Sequence, residues 1–182
     1  MPSPLGLLLL LQAGLLLLGA SGMLLLGLPW GEGDFFRDLL LALGLLLALQ
    51  ALEGAFRRLF PASFREAERL HGALGEALRA GGVGPFWLLL LAFLSGVAEE
   101  VFFRGLVQGL LVSRVGTPGL FLQALLFALL HPAPLRAFAY PLYVGLAGLL
   151  LGAAYLFTGS LYPGILAHFL HNAWGFYRLR KG

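Results

Sequence analysis

Apolar residues occur in long runs that are separated by short polar connections. The runs cover about residues 5–28, 35–52, 86–112, 119–130, 138–157 and 161–177. A helix needs roughly 20 apolar residues to cross the ~30 Å hydrocarbon core of a bilayer, and a helix satisfies its own backbone hydrogen bonds there. The pattern therefore predicts an all-α, polytopic membrane helical bundle with about six transmembrane helices.

The first run has some features of a secretory signal. Small residues at Ala20-Ser21-Gly22 would suit a cleavage site. However, no Lys or Arg precedes the run, and it is longer than the ~7–15 residues of a signal core. We therefore favour a retained membrane span.

Residues 53–79 differ in composition from the runs on either side, because Arg and Glu alternate with apolar residues. Seven apolar residues recur near helical spacing, at Leu59, Phe60, Phe64, Ala67, Leu70, Leu74 and Leu78. This periodicity predicts one interfacial amphipathic helix on the membrane surface. We expect its His71 to lie on the polar face, away from any active site.

Composition supports an integral membrane protein. Of the 182 residues, 59% are hydrophobic and 12% are charged, against roughly 25% charged in soluble domains. The basic pI of 9.7 comes largely from residues in the connections, where they set orientation, so no nucleic-acid partner is implied. The absence of cysteine excludes disulfides, thiolate nucleophiles and cysteine-ligated metals.

Basic residues predict the orientation. In the six-span scheme only Arg37 and Arg114 fall opposite the termini. Nine fall on the side of the termini: Arg57, Arg58, Arg65, Arg69, Arg79, Arg136, Arg178, Arg180 and Lys181. By the positive-inside rule both termini are cytoplasmic, and we expect residues 1–182 to form a single transmembrane domain in a plasma (inner) membrane, in contact with lipid.

The third run contains three charges, Glu99, Glu100 and Arg104. A charge near the middle of a membrane helix costs at least ~2.5–3.5 kcal/mol, so such residues usually face a polar interior and have a function. Glu100 and Arg104 are four residues apart and can pair on one helical face. An ion pair that only clamps two helices would explain these two residues but would leave Glu99 without a role.

Further polar residues lie within or at the ends of the later apolar runs. His131 ends the fourth run, where Pro132 and Pro134 stop helical pairing, and His168 and Asn172 project from one face of the sixth. Such groups find their cheapest partners in one another, so we expect a shared site with Glu99. A glutamate can accept a proton from water, a histidine can relay it, and an amide with an imidazole can donate to an oxyanion, so the set suits a hydrolase acting on a carbonyl.

Other intramembrane hydrolases fit less well. The chain has no His-Glu-x-x-His motif, and neither Asp34 nor Asp38 lies deep in a span, as an aspartyl protease would need. A Ser–His pair of the rhomboid type stays open, because Ser95 precedes Glu99 by one turn, but it would leave the two glutamates unexplained. A transporter with Glu99 as proton carrier is weaker, since no inverted repeat is visible.

Three motifs carry a resemblance to a known family. Glu99-Glu100-x-x-x-Arg104, Phe127-x-x-x-His131 and His168-x-x-x-Asn172 resemble, in the same order, those of the CAAX protease and bacteriocin-processing (CPBP) family of intramembrane proteases, which includes the eukaryotic type II CAAX prenyl endopeptidase. The resemblance implies a catalytic core at about residues 85–177.

The family resemblance also implies roles for these residues. Glu99 would activate water with help from His131, Glu100 and Arg104 would complete the site, and His168 with Asn172 would hold the oxyanion. The family spacing selects His168 rather than His171, which we expect to support the site or lie at the interface.

The resemblance leaves the cofactor open. Family members are widely called metalloproteases, and a metal-free glutamate mechanism has also been argued. If zinc is present, Glu99, His131 and His168 are its expected ligands. We favour the metal-free case because Asn172 is a poor zinc ligand and a good hydrogen-bond donor.

The leading function is therefore hydrolysis of peptide bonds in membrane-associated substrates, for which a CAAX-type prenylated peptide is the family-level expectation. The alternative is a non-catalytic membrane scaffold or bacteriocin-immunity protein that uses the same polar cavity. Because every motif residue is intact, we favour the enzyme.

Overall fold

The computed structural model describes residues 3–131 and 133–181, with side chains through Arg178. Helices make up 86% of the described residues, which contain no strand, and this confirms the all-α class. The α-helices in chain order are α1 Pro4–Leu25, α2 Phe35–Leu59, α3 Pro61–Ala80, α4 Pro85–Glu99, α5 Gly109–Val115, α6 Pro118–Leu129, α7 Ala139–Thr158 and α8 Tyr162–Lys181.

The helix that carries the paired glutamates is not an α-helix throughout. A π-helical segment, Glu100–Gln108, joins α4 to α5 in one continuous stretch of 31 residues. The first motif therefore begins at the last residue of α4 and continues on the π-helical segment. Glu100, Arg104 and Gln108, spaced four residues apart, lie on one buried side of this segment, each no more than 1% exposed.

Among the described residues, four helical stretches are long and apolar enough to cross a membrane: α1, α2, α4 through α5, and α7. Helix α6 has 12 residues, about 18 Å of helix against a ~30 Å hydrocarbon core. Helix α8 carries several polar side chains, which lower its mean hydropathy. The protein is thus a helical membrane protein, and six crossings remain a prediction.

The predicted amphipathic helix begins later than the sequence pattern suggested. Residues 53–58 continue α2. The helix is interrupted at Phe60, and Pro61 starts α3. Proline suits this position because the first helical N–H has no partner within the helix. Helix α3 turns Phe64 and Ala67 inward and packs against α1, α2, α7, α8 and the short 3₁₀ turn Leu135–Ala137. It therefore lies across the bundle and packs against four of its helices.

Glycines allow the helices around the site to approach closely. A Cβ atom on Gly96 of α4 would lie 2.9 Å from the Phe169 backbone nitrogen of α8. A Cβ atom on Gly19 of α1 would likewise lie 2.9 Å from the backbone of Phe102. Since such contacts are possible only without a side chain, these glycines bring α1 and α8 against the stretch that carries the glutamates.

Candidate active site

The glutamate that the sequence paired with Arg104 also contacts a histidine. Arg104 Nη1 lies 3.0 Å from Glu100 Oε1, and both side chains are essentially fully buried. The same Glu100 oxygen lies 2.9 Å from His168 Nδ1. Arg104 also packs over the Phe127 ring, with its guanidinium carbon 4.4 Å from the ring centroid. The predicted ion pair is thus present, and Glu100 links it to α8.

Glu99 faces both histidines of the later motifs. Its Oε2 atom lies 3.8 Å from His131 Nε2 and 3.7 Å from His168 Nε2. A carboxylate and a carbonyl can only accept hydrogen bonds, so the His168 Nδ1–H donates to Glu100 and the His131 Nδ1–H donates to Phe127 O at 2.8 Å. In its neutral form each ring therefore presents a bare Nε2 toward Glu99.

Asn172 lies one turn beyond His168 on the same side of α8. Its Nδ2 donates to Ser95 Oγ at 2.9 Å, which orients the amide. An amide nitrogen carries two hydrogens, so one remains for another acceptor. The Ser95 hydroxyl itself donates to Ala92 O at 3.1 Å, and this use of its proton argues against a Ser–His nucleophile at this position.

Two cavities meet at Glu99. The inner cavity, of about 120 Å³, is lined by Glu99, His131 and His168 among others. The outer cavity, of about 290 Å³, extends between α1, α3, α4 and α8. Both are lined by Glu99, Tyr140, Tyr143, His171 and Asn172. The outer cavity is the more open of the two.

The stretch of the chain that carries the site residues matches a known protein family. Residues 82–174 match the family of type II CAAX prenyl endopeptidase Rce1-like proteins. The chain belongs to this family. The match contains all three motifs and confirms the resemblance found in the sequence, and it supports CAAX-type intramembrane endopeptidase activity in general. No curated protein sequence and no solved structure matches the chain.

The sequence interpretation missed several residues that line the two cavities. Gln12 of α1 donates to Glu99 Oε1 at 3.4 Å, so Glu99 has a partner outside the motifs. Tyr140 and Tyr143 of α7 line both cavities. Gln12 is a strongly polar residue within the first apolar run, and that could have marked it. The tyrosines gave no comparable signal, because aromatic residues are common in membrane helices.

The structure also places His71 and His171, the two histidines outside the three motifs. His71 was expected on an outer polar face, but it is half-buried, packs 5.0 Å from the Tyr140 ring centroid and lines the outer cavity. That expectation was wrong, because α3 turns this residue toward the bundle. His171 lines both cavities and bonds Tyr143 rather than either glutamate of the first motif. All four histidines of the chain therefore border the two cavities.

The donor types at Glu99 suit zinc, but the separations between them are slightly longer than those of zinc ligands. Zinc bonded at ~2.0–2.2 Å to tetrahedral ligands would hold them about 3.3–3.6 Å apart, and the 3.7 and 3.8 Å found here are slightly longer. Within the described part of the chain, no group of three His, Cys, Asp or Glu side chains is arranged to hold a metal ion.

Proposed function

We propose that the protein is an intramembrane endopeptidase that hydrolyses peptide bonds with a water activated by Glu99. The observation that carries this proposal is the convergence of Glu99 Oε2 with the bare Nε2 atoms of His131 and His168, at 3.8 and 3.7 Å. These separations are too long for direct hydrogen bonds. A water that donates one hydrogen to the carboxylate and one to an imidazole satisfies the geometry.

The first step is attack on the scissile carbonyl. Glu99 takes a proton from the water while the water oxygen bonds to the carbonyl carbon. The C=O electron pair moves to the carbonyl oxygen. The free Asn172 N–H donates to this oxyanion. His168 joins as a second donor once it has received the proton on Nε2, because its neutral form has no hydrogen there.

The second step is loss of the amine. The tetrahedral intermediate collapses, the C–N bond breaks, and the proton held by Glu99 or a histidine passes to the leaving nitrogen. Glu100 stabilises the imidazolium form of His168 through the 2.9 Å contact at Nδ1. Arg104 Nη1 lies 3.0 Å from the Glu100 carboxylate and places a positive charge beside it, with both side chains essentially fully buried.

We propose a membrane-associated, C-terminally prenylated peptide as substrate. Family membership and a site within an apolar bundle both support this class, because a prenyl chain holds its peptide at the bilayer. We further propose that the protein lies in a plasma (inner) membrane with both termini cytoplasmic, and the distribution of basic residues supports this orientation.

Cleavage of a synthetic farnesylated CAAX peptide tests the function. Purified protein in lipid nanodiscs should release a C-terminal fragment, identified by mass, and should leave the unprenylated peptide largely intact. Glu99→Gln should lose cleavage. The matched control is Glu66→Gln on α3, at a glutamate paired with Arg69 away from the cavities, and it should cleave normally. If neither prenylated nor plain peptides are cleaved, the scaffold alternative replaces the enzyme.

Zinc content and the effect of a chelator on activity test whether the mechanism is metal-free. We expect purified active protein to contain well below one zinc per chain and to keep its activity after dialysis against a chelator. Stoichiometric zinc that is lost together with activity, and that restores activity when added back, would overturn the metal-free mechanism.

A further inference from the structure

Tyr143 stands where the two cavities meet, and neither the motifs nor the proposed mechanism assigns it a role. It is 6% exposed and lines both cavities with Glu99 and Asn172. Its ring packs against Phe64 at 5.8 Å and Phe56 at 6.1 Å between centroids. These contacts fix the ring, and a buried phenol usually has a defined hydrogen-bond partner.

That partner is His171, whose hydrogen can be placed from its neighbours. Tyr143 Oη lies 2.7 Å from His171 Nε2, and Gln50 Nε2 lies 3.3 Å from His171 Nδ1. An amide nitrogen only donates, so Nδ1 is the acceptor. The hydrogen of the neutral imidazole is therefore on Nε2, and it is donated to the Tyr143 oxygen.

Glu53 supports the same placement independently. Its Oε1 accepts from Arg57 at 2.7 Å and from Arg178 at 2.6 Å, so the carboxylate is ionised. Its Oε2 is buried, has no hydrogen-bond partner among the described residues and lies 3.9 Å from His171 Nε2. A negative charge there favours a hydrogen on Nε2 rather than a lone pair.

The Tyr143 oxygen thus accepts from His171, and its own hydrogen is available to an acceptor in the cavity. We infer that Tyr143 donates this hydrogen to the scissile carbonyl oxygen as it becomes an oxyanion, beside the amide of Asn172, and that His171 positions the hydroxyl. His171 and Asn172 are consecutive residues of α8, so one turn would organise both donors. The inference rests on the proposed function, because it assigns a further role in the same reaction.

Tyr143→Phe tests the donor, since it removes only the hydroxyl and keeps the packed ring. We expect kcat on the farnesylated CAAX peptide to fall on the order of 10²-fold, as for loss of one oxyanion donor, with KM nearly unchanged and an unfolding midpoint close to wild type. Tyr155→Phe is the matched control on the same helix, because Tyr155 bonds Pro29 O at 3.1 Å outside the site. It should retain wild-type kcat.

A double-mutant cycle tests the positioning role. His171→Phe should lower kcat by about tenfold in the wild-type background and have little further effect when Tyr143 is already Phe, because the two act through one hydroxyl. Independent, multiplicative losses would indicate a merely structural His171 and would remove it from the inference. Wild-type kcat in Tyr143→Phe, with Glu99→Gln inactive, would overturn the donor role and leave the proposed function intact. An active Glu99→Gln would overturn the proposed function instead.

Discussion

The two adjacent glutamates should respond in opposite ways to the same substitution. Glu100→Gln keeps the side-chain shape but leaves Arg104, which is 0% exposed, without the carboxylate 3.0 Å from Nη1. The remaining polar contact, from Nη2 to Gly148 O at 3.4 Å, is neutral and long. Breaking a buried ion pair in this way costs ~3–5 kcal/mol.

Glu99→Gln removes a charge whose contacts are all loose. Its nearest partners are Gln12 at 3.4 Å and two histidines at 3.7 and 3.8 Å, and Glu99 is 8% exposed to the cavity. We expect its unfolding free energy to stay within ~1 kcal/mol of wild type, while cleavage falls on the order of 10²–10⁴-fold.

Unfolding by SDS in mixed micelles, followed by circular dichroism, measures both variants under one condition. The expected order is wild type close to Glu99→Gln, with Glu100→Gln far less stable or poorly expressed. Wild-type stability in Glu100→Gln would refute the structural role of the pair. Strong destabilisation in Glu99→Gln would refute its assignment as a catalytic group rather than a structural one.

Three further predictions concern packing, pH and topology. Gly96→Ala should lower stability by about 1–3 kcal/mol in the same unfolding assay, because the new Cβ would lie 2.9 Å from Phe169 N. Gly54→Ala is the control, since a Cβ there has nothing within 4 Å. It should be neutral or stabilising by roughly 0.5–1 kcal/mol. Burial, reinforced by the nearby charge of His131, lowers the pKa of His71 from 6.5, so the unfolded chain takes up the proton first and stability should fall as the pH drops below about 6.5. A pH series of unfolding midpoints should lose this component in His71→Gln, and an unchanged slope would contradict it. A reporter fused to the C-terminus should be cytoplasmic and one inserted at Gly116 should be external, whereas the reverse would refute the predicted orientation.

The core of the site could be predicted because polar groups in apolar helices have few possible partners. Glu99, Glu100 and Arg104 were conspicuous in their run, and the spacing of His168 and Asn172 placed them on one helical face. The structure brings these residues together at hydrogen-bond or ion-pair range around Glu100 and Ser95. Such clustering follows from the cost of leaving a buried polar group unpaired.

Other features depend on contacts that periodicity does not encode. Gln12 reaches Glu99 across 87 residues of sequence, and a single glutamine does not specify which helix it faces. The inward turn of His71 follows from the packing of α3 across the bundle. The boundary between α2 and α3 was readable in principle, since Pro61 marks a helix start. The π-helical segment had no clear sequence signal. It contains Gly105, but glycine is common in membrane helices and does not mark a π-helix.

In the proposed mechanism, Glu99 and the two bare imidazole nitrogens hold a water rather than a metal. A high-resolution crystal structure with anomalous data on both sides of the zinc edge tests it most directly. We expect an ordered water about 2.7–3.0 Å from Glu99 Oε2 and from Nε2 of His131 or His168, with no anomalous peak. An anomalous peak with Glu99, His131 and His168 at ~2.0–2.2 Å would contradict the claim and make the enzyme a zinc protease.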